Sequence, residues 1–413
     1  SVTSRASILP LVGSGPYAAG CADLMITDSN DGDTGVFLRI YYPTDKDVSL
    51  LRKEATFYIN NRTRESDHPL WIDRPEYVTG LASYLKHSAG RLQYILNWII
   101  GETRMACIGR AKLARHLRSS GQQVKDAFPV IVFCHGLAGS RHFYSTFCSS
   151  LASYGFVVAA IEHSDYSACW TYKLVPDTTS GRLIERHFPV RLLDHTDKRT
   201  LKIRTQQLSK RVSEAVKALH VLEEINLGQL QSDKVAVGKD FDWTSWKGKL
   251  DLSRAYVAGH SFGGATAIAA TAFSTDFQAA VVLDGWLSPL DPGHYERASQ
   301  PSLFLNAANW NYIENVGRIQ KLRNITEKSL YTFKDAEHHT FTDFPFLFNP
   351  LIGRTLKLHG ETPPALVMEA IVEMTVLFLN REENRNGDIK RLVLQKYQSF
   401  LTDKVPNLSN TKS

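Results

Sequence analysis

The sequence has few cysteines, no long apolar run and little excess charge, and each shortage excludes a class of protein. Its five cysteines are odd in number and match no zinc-ligand spacing, so a disulfide framework is not expected. No apolar run reaches the length of a membrane-spanning helix. The net charge of +6 is small for 413 residues and far from that of a nucleic-acid-binding protein. The composition therefore indicates a globular protein with a sizeable core and no nucleic-acid partner.

Motifs for nucleotides and metals are also missing. The sequence contains no Gly-rich nucleotide loop, no Walker motif and no pair of histidines at metal-binding spacing. We therefore expect neither a cofactor nor a metal, and we infer no obligate protein partner. The odd cysteine count favours a reduced, cytoplasmic protein, and secretion is the alternative. Association with membranes is a separate expectation. Because the chain begins with Ser rather than Met, we expect that a preceding segment has been removed.

Apolar runs of strand length alternate with helical stretches along the chain. Several runs are apolar on both faces, as buried parallel strands are; they are 36–42, 130–134, 156–161, 255–258, 280–283, 302–305 and 329–333. This alternation predicts a mostly parallel, doubly wound sheet with helices on both faces. Since no linker separates two cores, we expect a single domain over 1–413 with insertions at about 44–127 and 164–250. Helical periodicity marks 91–100 and 201–225 inside them, and the end of the C-terminal tail is expected to be disordered.

A nucleophile motif lies between a strand and a helix. The strand ends at Val257-Ala258, the string GHSFGG follows at 259–264, and a helix-like stretch continues to 273. In a G-x-S-x-G motif the serine occupies a sharp, strained turn that needs small neighbours, and its hydroxyl stands at the carboxyl edge of the sheet. The motif predicts an α/β-hydrolase fold with Ser261 as the nucleophile. A coincidental Gly-rich turn is the alternative.

A serine nucleophile needs a base and an orienting carboxylate, in the chain order Ser, acid, His. Asp284 directly follows the strand 280–283, which is where the acid is expected. The loop after the strand 329–333 holds His338 and His339, and the pattern alone does not choose between them. Other candidates fit less well: Asp335 and Glu337 are rival acids beside the pair, whereas the remaining downstream histidines lie outside the loop.

The oxyanion hole requires two backbone N–H donors. One is expected from Phe262, which follows the nucleophile. The other is expected from the loop after strand 130–134, where Leu137 lies in the string HGLAG at 135–139. His135 in that loop is expected to shape it rather than to react.

Further strings are spread over about 15–380. They are GPY at 15–17, GCADLM at 20–25, FLRIYYP at 37–43, LWI at 70–72, EY at 76–77, HGL at 135–137, LASYGFVVAA at 151–160, EH at 162–163, GHSFGGAT at 259–266, LDGWLSPL at 283–290 and HHTFTDF at 338–344. With these strings the chain resembles the platelet-activating factor acetylhydrolases, also called lipoprotein-associated or group VII phospholipases A2. It departs from the family pattern at Cys134, at 138–140, at Ser164 and at Gly285. The changes at 138–140 border the oxyanion loop and leave the acyl-chain preference open.

The resemblance implies a calcium-independent esterase that cleaves the sn-2 acyl ester of phospholipids with acetyl, short or oxidised acyl chains. Carried over by position, the family's triad falls on Ser261, Asp284 and His338. The family's oxyanion donors fall on Leu137 and Phe262. The Phe-x-Asp-Phe pattern downstream selects His338 over His339. The alternatives are a general carboxylesterase or lipase on the same fold and, from another class, a catalytically inactive binding module.

The helix predicted over 91–100 has more apolar surface than a single core-facing stripe requires. Tyr94 and Trp98 suit the headgroup boundary of a membrane, where amphipathic rings are favoured. The resemblance supports this role, since relatives meet lipoproteins or membranes through helices in this region. We therefore predict peripheral contact with a lipid surface through Leu92, Tyr94, Ile95, Trp98, Ile99, Leu351 and Ile352. The alternative is that the helix is buried against the sheet.

Overall fold

The computed structural model describes residues 7–27, 35–53, 68–85, 89–115, 127–194, 197–385 and 387–404. Its main sheet has eleven strands. In chain order they are β1 (Ala18–Ile26), β2 (Val36–Thr44), β3 (Ile108–Gly109), β4 (Phe128–Cys134), β5 (Val157–Glu162), β8 (Val235–Val237), β9 (Leu250–His260), β10 (Ala280–Leu283), β11 (Ser302–Ala307), β12 (Lys328–Phe333) and β13 (Leu401–Thr402). All seven apolar runs singled out in the sequence are strands of this sheet. A separate hairpin pairs β6 (Trp170–Pro176) with β7 (Leu183–Pro189).

The strands follow the spatial order β13-β12-β11-β10-β9-β4-β5-β2-β1-β3, and β8 pairs with β1. The six strands from β12 to β5 are parallel to their neighbours. β2 and β1 continue the sheet in antiparallel pairing, and β13 closes the other edge in the same way. The predicted mostly parallel sheet is confirmed. The carboxyl ends of β4, β9, β10 and β12 point to one edge, where the polar loops lie.

Eleven helices cover the described part of the chain. They are α1 (Val48–Lys53), α2 (Pro75–Tyr84), α3 (Ala89–Ile100), α4 (Ser145–Ser153), α5 (Lys198–Leu227), α6 (Phe262–Phe273), α7 (Pro292–Arg297), α8 (Ile313–Lys321), α9 (Pro350–Thr355), α10 (Pro364–Leu379) and α11 (Asp388–Lys396). The helices predicted over 91–100 and 201–225 correspond to α3 and α5.

Two hydrophobic cores lie on the two faces of the sheet. Alternate residues of β4 enter different cores, since Ile131 and Phe133 belong to the first core and Val130 and Val132 to the second. α4 and α10 pack on the first core, and α5 and α6 pack on the second. Burial on both faces explains why these strands are continuous apolar runs rather than alternating ones.

The two proposed insertions contribute to the same sheet. The first holds α1, α2, α3 and β3, and the second holds the β6–β7 hairpin, α5 and β8. α5 begins after Asp197, whose carboxylate accepts the Arg199 N–H, and ends at Gly228 with a φ of 70°. The interpretation as one domain with two insertions stays a prediction. The expected disorder at the C-terminus falls beyond residue 404, outside the described residues, whereas α11 and β13 order the chain before it.

Candidate active site

Ser261 occupies a strained turn between β9 and α6. Its φ is 57° and its ψ is −118°, in a region that non-glycine residues rarely adopt. Its N–H donates to the Leu283 carbonyl at 3.0 Å. A Cβ on Gly263 would collide with the Cys134 carbonyl oxygen, and a Cβ on Gly259 would collide with the Gly263 carbonyl oxygen. The chain can therefore turn this sharply only because both positions are glycine.

Asp284 and His338 form a hydrogen-bonded pair at the same edge. Asp284 follows β10, and its buried carboxylate receives the His338 Nδ1 at 2.9 Å through Oδ2 and the Ala307 N–H at 2.6 Å through Oδ1. His338 begins a 3₁₀ turn five residues after β12 ends. The fold thus brings together two residues that are 54 positions apart in the chain. No hydrogen bond joins Ser261 Oγ to His338 among the described residues, and such contacts commonly tighten only when substrate binds.

The rival residues make other contacts. His339 is exposed, and its imidazole is not bonded to Asp284. Asp335 accepts the Glu361 N–H at 2.9 Å. Glu337 accepts the amide of Asn309 at 2.7 Å. Geometry therefore favours His338 and Asp284 within each set of candidates.

Aromatic rings hold the His338 imidazole. The Trp310 ring stacks on it with a centroid distance of 3.8 Å and an angle of 16°. The Trp310 indole is itself fixed, because its N–H donates to the Gly285 carbonyl at 3.0 Å. Burial lowers the pKa of His338 to about 4, so the imidazole is neutral at neutral pH, as a general base must be. Burial also raises the pKa of Asp284, an effect that the Ala307 N–H opposes.

The loop after β4 lies against Ser261. A Cβ on Gly136 would lie 3.1 Å from the Ser261 Cβ. The Gly136 carbonyl accepts from His135 Nδ1 at 2.7 Å and from the Gly139 N–H at 3.0 Å. Because this carbonyl and the Leu137 N–H belong to one peptide plane, these bonds fix the direction of the Leu137 N–H. Phe262, the other predicted donor, is the first residue of α6 and is buried.

Arg211 on α5 supports this loop from the second insertion, and sequence reasoning missed it. Its buried guanidinium donates to the His135 carbonyl at 2.7 Å, pairs with Asp165 at 3.1 Å and lies 4.2 Å from the centroid of the Phe262 ring. The sequence carried a signal, since Arg211 falls on the buried stripe of α5 beside Leu208. A charged residue on an apolar stripe indicates a buried partner.

Arg141 supports the other side of the same loop. It is buried and pairs with Glu162 at 3.0 Å and with Asp73 of the first insertion at 2.7 Å. The Tyr77 hydroxyl on α2 donates to Glu162 at 2.5 Å. Both insertions are therefore attached by buried charge to the loop that carries Leu137.

The predicted lipid-contact residues are mostly exposed. Tyr94 is 71% exposed, Trp98 51% and Ile95 49%, whereas Ile99 is half-buried. Leu92 lies on α3, but its side chain is outside the described residues. On α9, Leu351 is 69% exposed and Ile352 47%. α3 is therefore not wholly buried against the sheet: among its described side chains, Ile100 belongs to the first core and the half-buried Leu96 packs against it.

Within the described ranges of the chain, the molecule has neither a membrane-spanning helix nor a metal site. No helix there is both long and apolar enough to cross a membrane. Within the same ranges, no three His, Cys, Asp or Glu side chains are grouped so that they could hold a metal ion.

A parallel sheet, a strained serine between strand and helix, and an Asp–His pair after later strands define the α/β-hydrolase class. A solved structure of similar fold is a ferulic acid esterase from Streptomyces cinnamoneus, with a TM-score of 0.57, 18% identity and coverage of 92% of this chain and 93% of the esterase. At that identity the likeness concerns the fold alone.

Sequence comparison places the chain within the class. The family described as "Platelet-activating factor acetylhydrolase, isoform II" matches residues 2–393, and the chain belongs to this family. A platelet-activating factor acetylhydrolase of Gallus gallus is 31% identical over 389 residues, which are 92% of this chain and 85% of the relative. One of Canis lupus familiaris is 29% identical over 397 residues, or 96% and 81% of the two chains.

The close contact at Gly263 can be tested directly. Gly263→Ala should lower the free energy of unfolding by about 1–3 kcal/mol or more, because the added methyl group collides with backbone that cannot yield. Gly317→Ala is the matched control, since no atom lies within 4 Å of the new Cβ on α8. That variant should gain roughly 0.5–1 kcal/mol. Denaturant unfolding measures both, and equal stabilities of the two variants would contradict the contact.

Proposed function

We propose that the chain is a calcium-independent serine esterase that hydrolyses the sn-2 acetyl, short-chain or oxidised acyl ester of platelet-activating factor and related phospholipids. The observation that carries the proposal is the strained Ser261 beside the Asp284–His338 pair in a chain of this family. The names of the Gallus gallus and Canis lupus familiaris relatives support the choice of substrate.

The geometry suggests a two-step reaction. Ser261 Oγ attacks the sn-2 carbonyl carbon while His338 Nε2 takes the hydroxyl proton, and Asp284 stabilises the imidazolium through Nδ1–H. The carbonyl oxygen becomes an oxyanion that the N–H groups of Leu137 and Phe262 stabilise. The C–O bond to glycerol then breaks, and His338 returns the proton to the lysophospholipid hydroxyl. In the second step water attacks the acyl-enzyme by the same route, releasing the carboxylic acid and the free Ser261.

Mutation can separate the roles of the two histidines. His338→Ala should lower kcat for a soluble acetyl ester by roughly 10⁴-fold or more, because the base and its orienting partner act as a unit with Ser261. His339→Ala, its exposed neighbour, should stay within a few-fold of wild type. Steady-state kinetics on folded proteins measures both. An active His338→Ala beside an inactive His339→Ala would reverse the assignment.

The carboxylate is tested in the same way. Asp284→Asn should lower kcat by roughly 10⁴-fold, because the amide favours the wrong tautomer of the imidazole. Asp335→Asn is the control, since Asp335 accepts backbone N–H groups away from the pair. If Asp335→Asn were the inactive variant, the acid would be misplaced.

A further prediction concerns the choice of substrate. Phospholipids with an sn-2 acetyl group should be hydrolysed much faster than those with a long unoxidised sn-2 chain, with excess EDTA present in every assay. Activity should survive the chelator, because Ser261, His338 and two N–H donors supply all the chemistry proposed. Hydrolysis of simple esters without hydrolysis of the acetyl phospholipid would indicate a general carboxylesterase. Loss of activity that only calcium restores would indicate another class of phospholipase.

We also propose that the protein works at a lipid surface through Leu92, Tyr94, Ile95, Trp98 and Ile99 of α3. Two aromatic side chains at the exposed positions suit the interface between water and acyl chains. Leu351 and Ile352 on α9 are a second proposed contact. A shared surface is supported by packing, since Ile100 of α3 and the 3₁₀ turn Phe344–Leu347 that precedes α9 both pack on the first core.

The proposed compartment is the cytoplasm, with peripheral association to membranes. All five cysteines are free and buried, which suits a reducing environment. Secretion remains the competing proposal.

Vesicle flotation tests the proposed lipid contact. The double variant Tyr94→Ser, Trp98→Ser should bind phosphatidylcholine vesicles about tenfold or more weakly, because each buried large apolar side chain contributes roughly 1.5–3 kcal/mol. Turnover of a soluble acetyl ester should be nearly unchanged. Phe273→Ser is the matched control, since Phe273 is also 71% exposed but lies on α6, over the opposite face. If the control lost binding and the double variant kept it, the contact would lie elsewhere.

A further inference from the structure

A buried chain of three hydrogen bonds runs beneath the candidate active site. The Gly136 N–H donates to the Tyr144 hydroxyl at 3.0 Å, and that hydroxyl is 2.8 Å from His260 Nδ1. His260 Nε2 is 2.9 Å from the His338 carbonyl oxygen. Tyr144 and His260 are each 3% exposed. These hydrogen bonds therefore connect three segments that are far apart in sequence.

Only one arrangement of protons satisfies every member of the chain. Because the Tyr144 oxygen accepts from Gly136, its own proton is free to go to His260 Nδ1. Nδ1 then accepts, so the proton of a neutral His260 is on Nε2 and is donated to the carbonyl of His338. Burial lowers the pKa of His260 and raises the pKa of Tyr144, which keeps both groups in the forms that this arrangement needs.

Each end of this series of hydrogen bonds lies next to a group with a proposed role in the reaction. Gly136 precedes Leu137, the proposed oxyanion donor, and His338 carries the base. Between them, His260 directly precedes Ser261, and its ring lies 4.5 Å from the His338 imidazole. The hydrogen bonds thus connect the proposed oxyanion loop and the loop of His338 to His260, the residue beside Ser261.

We propose that Tyr144 and His260 are positioning residues, whose hydrogen-bond chain holds the Leu137 N–H and the His338 imidazole in register with Ser261. This inference rests on the proposed serine esterase function. Neither side chain has to touch the substrate. The side chains act by fixing two backbone segments, and a shift of the reacting groups by about 1 Å can lower a rate by roughly a hundredfold.

The hydroxyl of Tyr144 can be removed with little change in packing. Its ring packs on Phe133 with a centroid distance of 4.7 Å, and Tyr144→Phe keeps that contact. The matched control is Tyr256→Phe, which also removes a buried hydroxyl, here one that donates at 3.3 Å to the carbonyl of Leu379 at the end of α10. Both variants should lose a similar amount of stability.

The test compares the rate of covalent labelling by a fluorophosphonate, which requires the nucleophile, the base and the oxyanion donors but little substrate recognition. Tyr144→Phe should label between about tenfold and a hundredfold more slowly than wild type. In ester turnover it should lower kcat with little change in KM. Tyr256→Phe should label at the wild-type rate. Labelling of Tyr144→Phe within twofold of wild type would overturn the inference.

Two variants of His260 test the hydrogen bond from His260 Nε2 separately from the one made by Tyr144. His260→Gln keeps an N–H donor near the place of Nε2 and should preserve part of the labelling rate, whereas His260→Ala should not. In the double variant Tyr144→Phe, His260→Ala, the loss of labelling rate should be smaller than the product of the two single losses. Both side chains act through the same series of hydrogen bonds. Independent, multiplicative losses would contradict a shared set of hydrogen bonds. If Tyr144→Phe proved too unstable to assay, labelling of His260→Ala within twofold of wild type would overturn the inference instead. If wild type itself failed to label, the proposed function would fail and not this inference alone.

Discussion

The strained backbone at Ser261 is the constraint on which the candidate site depends. Its φ of 57° is possible because Gly259 and Gly263 let β9, α6 and the end of β4 approach within backbone contact. The same turn places the Ser261 N–H on the Leu283 carbonyl, directly before Asp284. One tight turn therefore fixes Ser261 relative to both the proposed oxyanion loop and Asp284. Strain of this kind persists only where the surrounding packing over-determines it.

Buried polar groups carry that fixed geometry outward to the rest of the molecule. Arg211 of the second proposed insertion contacts the oxyanion loop and pairs with the buried Asp165. Arg141 belongs to that loop and pairs with the buried Glu162 and with Asp73 of the first insertion. An unpaired charge at such depth would be strongly destabilising, so these pairs are a strong restraint on loop conformation even if they add little net stability. Tyr144 and His260 extend the same principle to the loop of His338.

Much of the fold and of the candidate site could be predicted from the sequence. The elements and contacts that could not be predicted have physical reasons. Parallel strands such as β4 were visible because burial on both faces makes them continuously apolar. β7 was missed because its exposed residues give no apolar run, and β13 was missed because it has only two residues. Periodicity found α3 but could not tell which side faces solvent, since Trp98 is exposed and Ile100 is buried two residues later. The contacts of Arg211 were beyond reach, because residues 76 positions apart share no local pattern.

The central claim is that Ser261 is the nucleophile. The most direct measurement is mass spectrometry of proteolytic peptides after reaction with a fluorophosphonate, with the phosphonylated residue assigned by fragmentation. The account predicts a single adduct on Ser261, formed in proportion to the loss of esterase activity. An adduct on another residue, or complete inactivation with Ser261 unmodified, would contradict it.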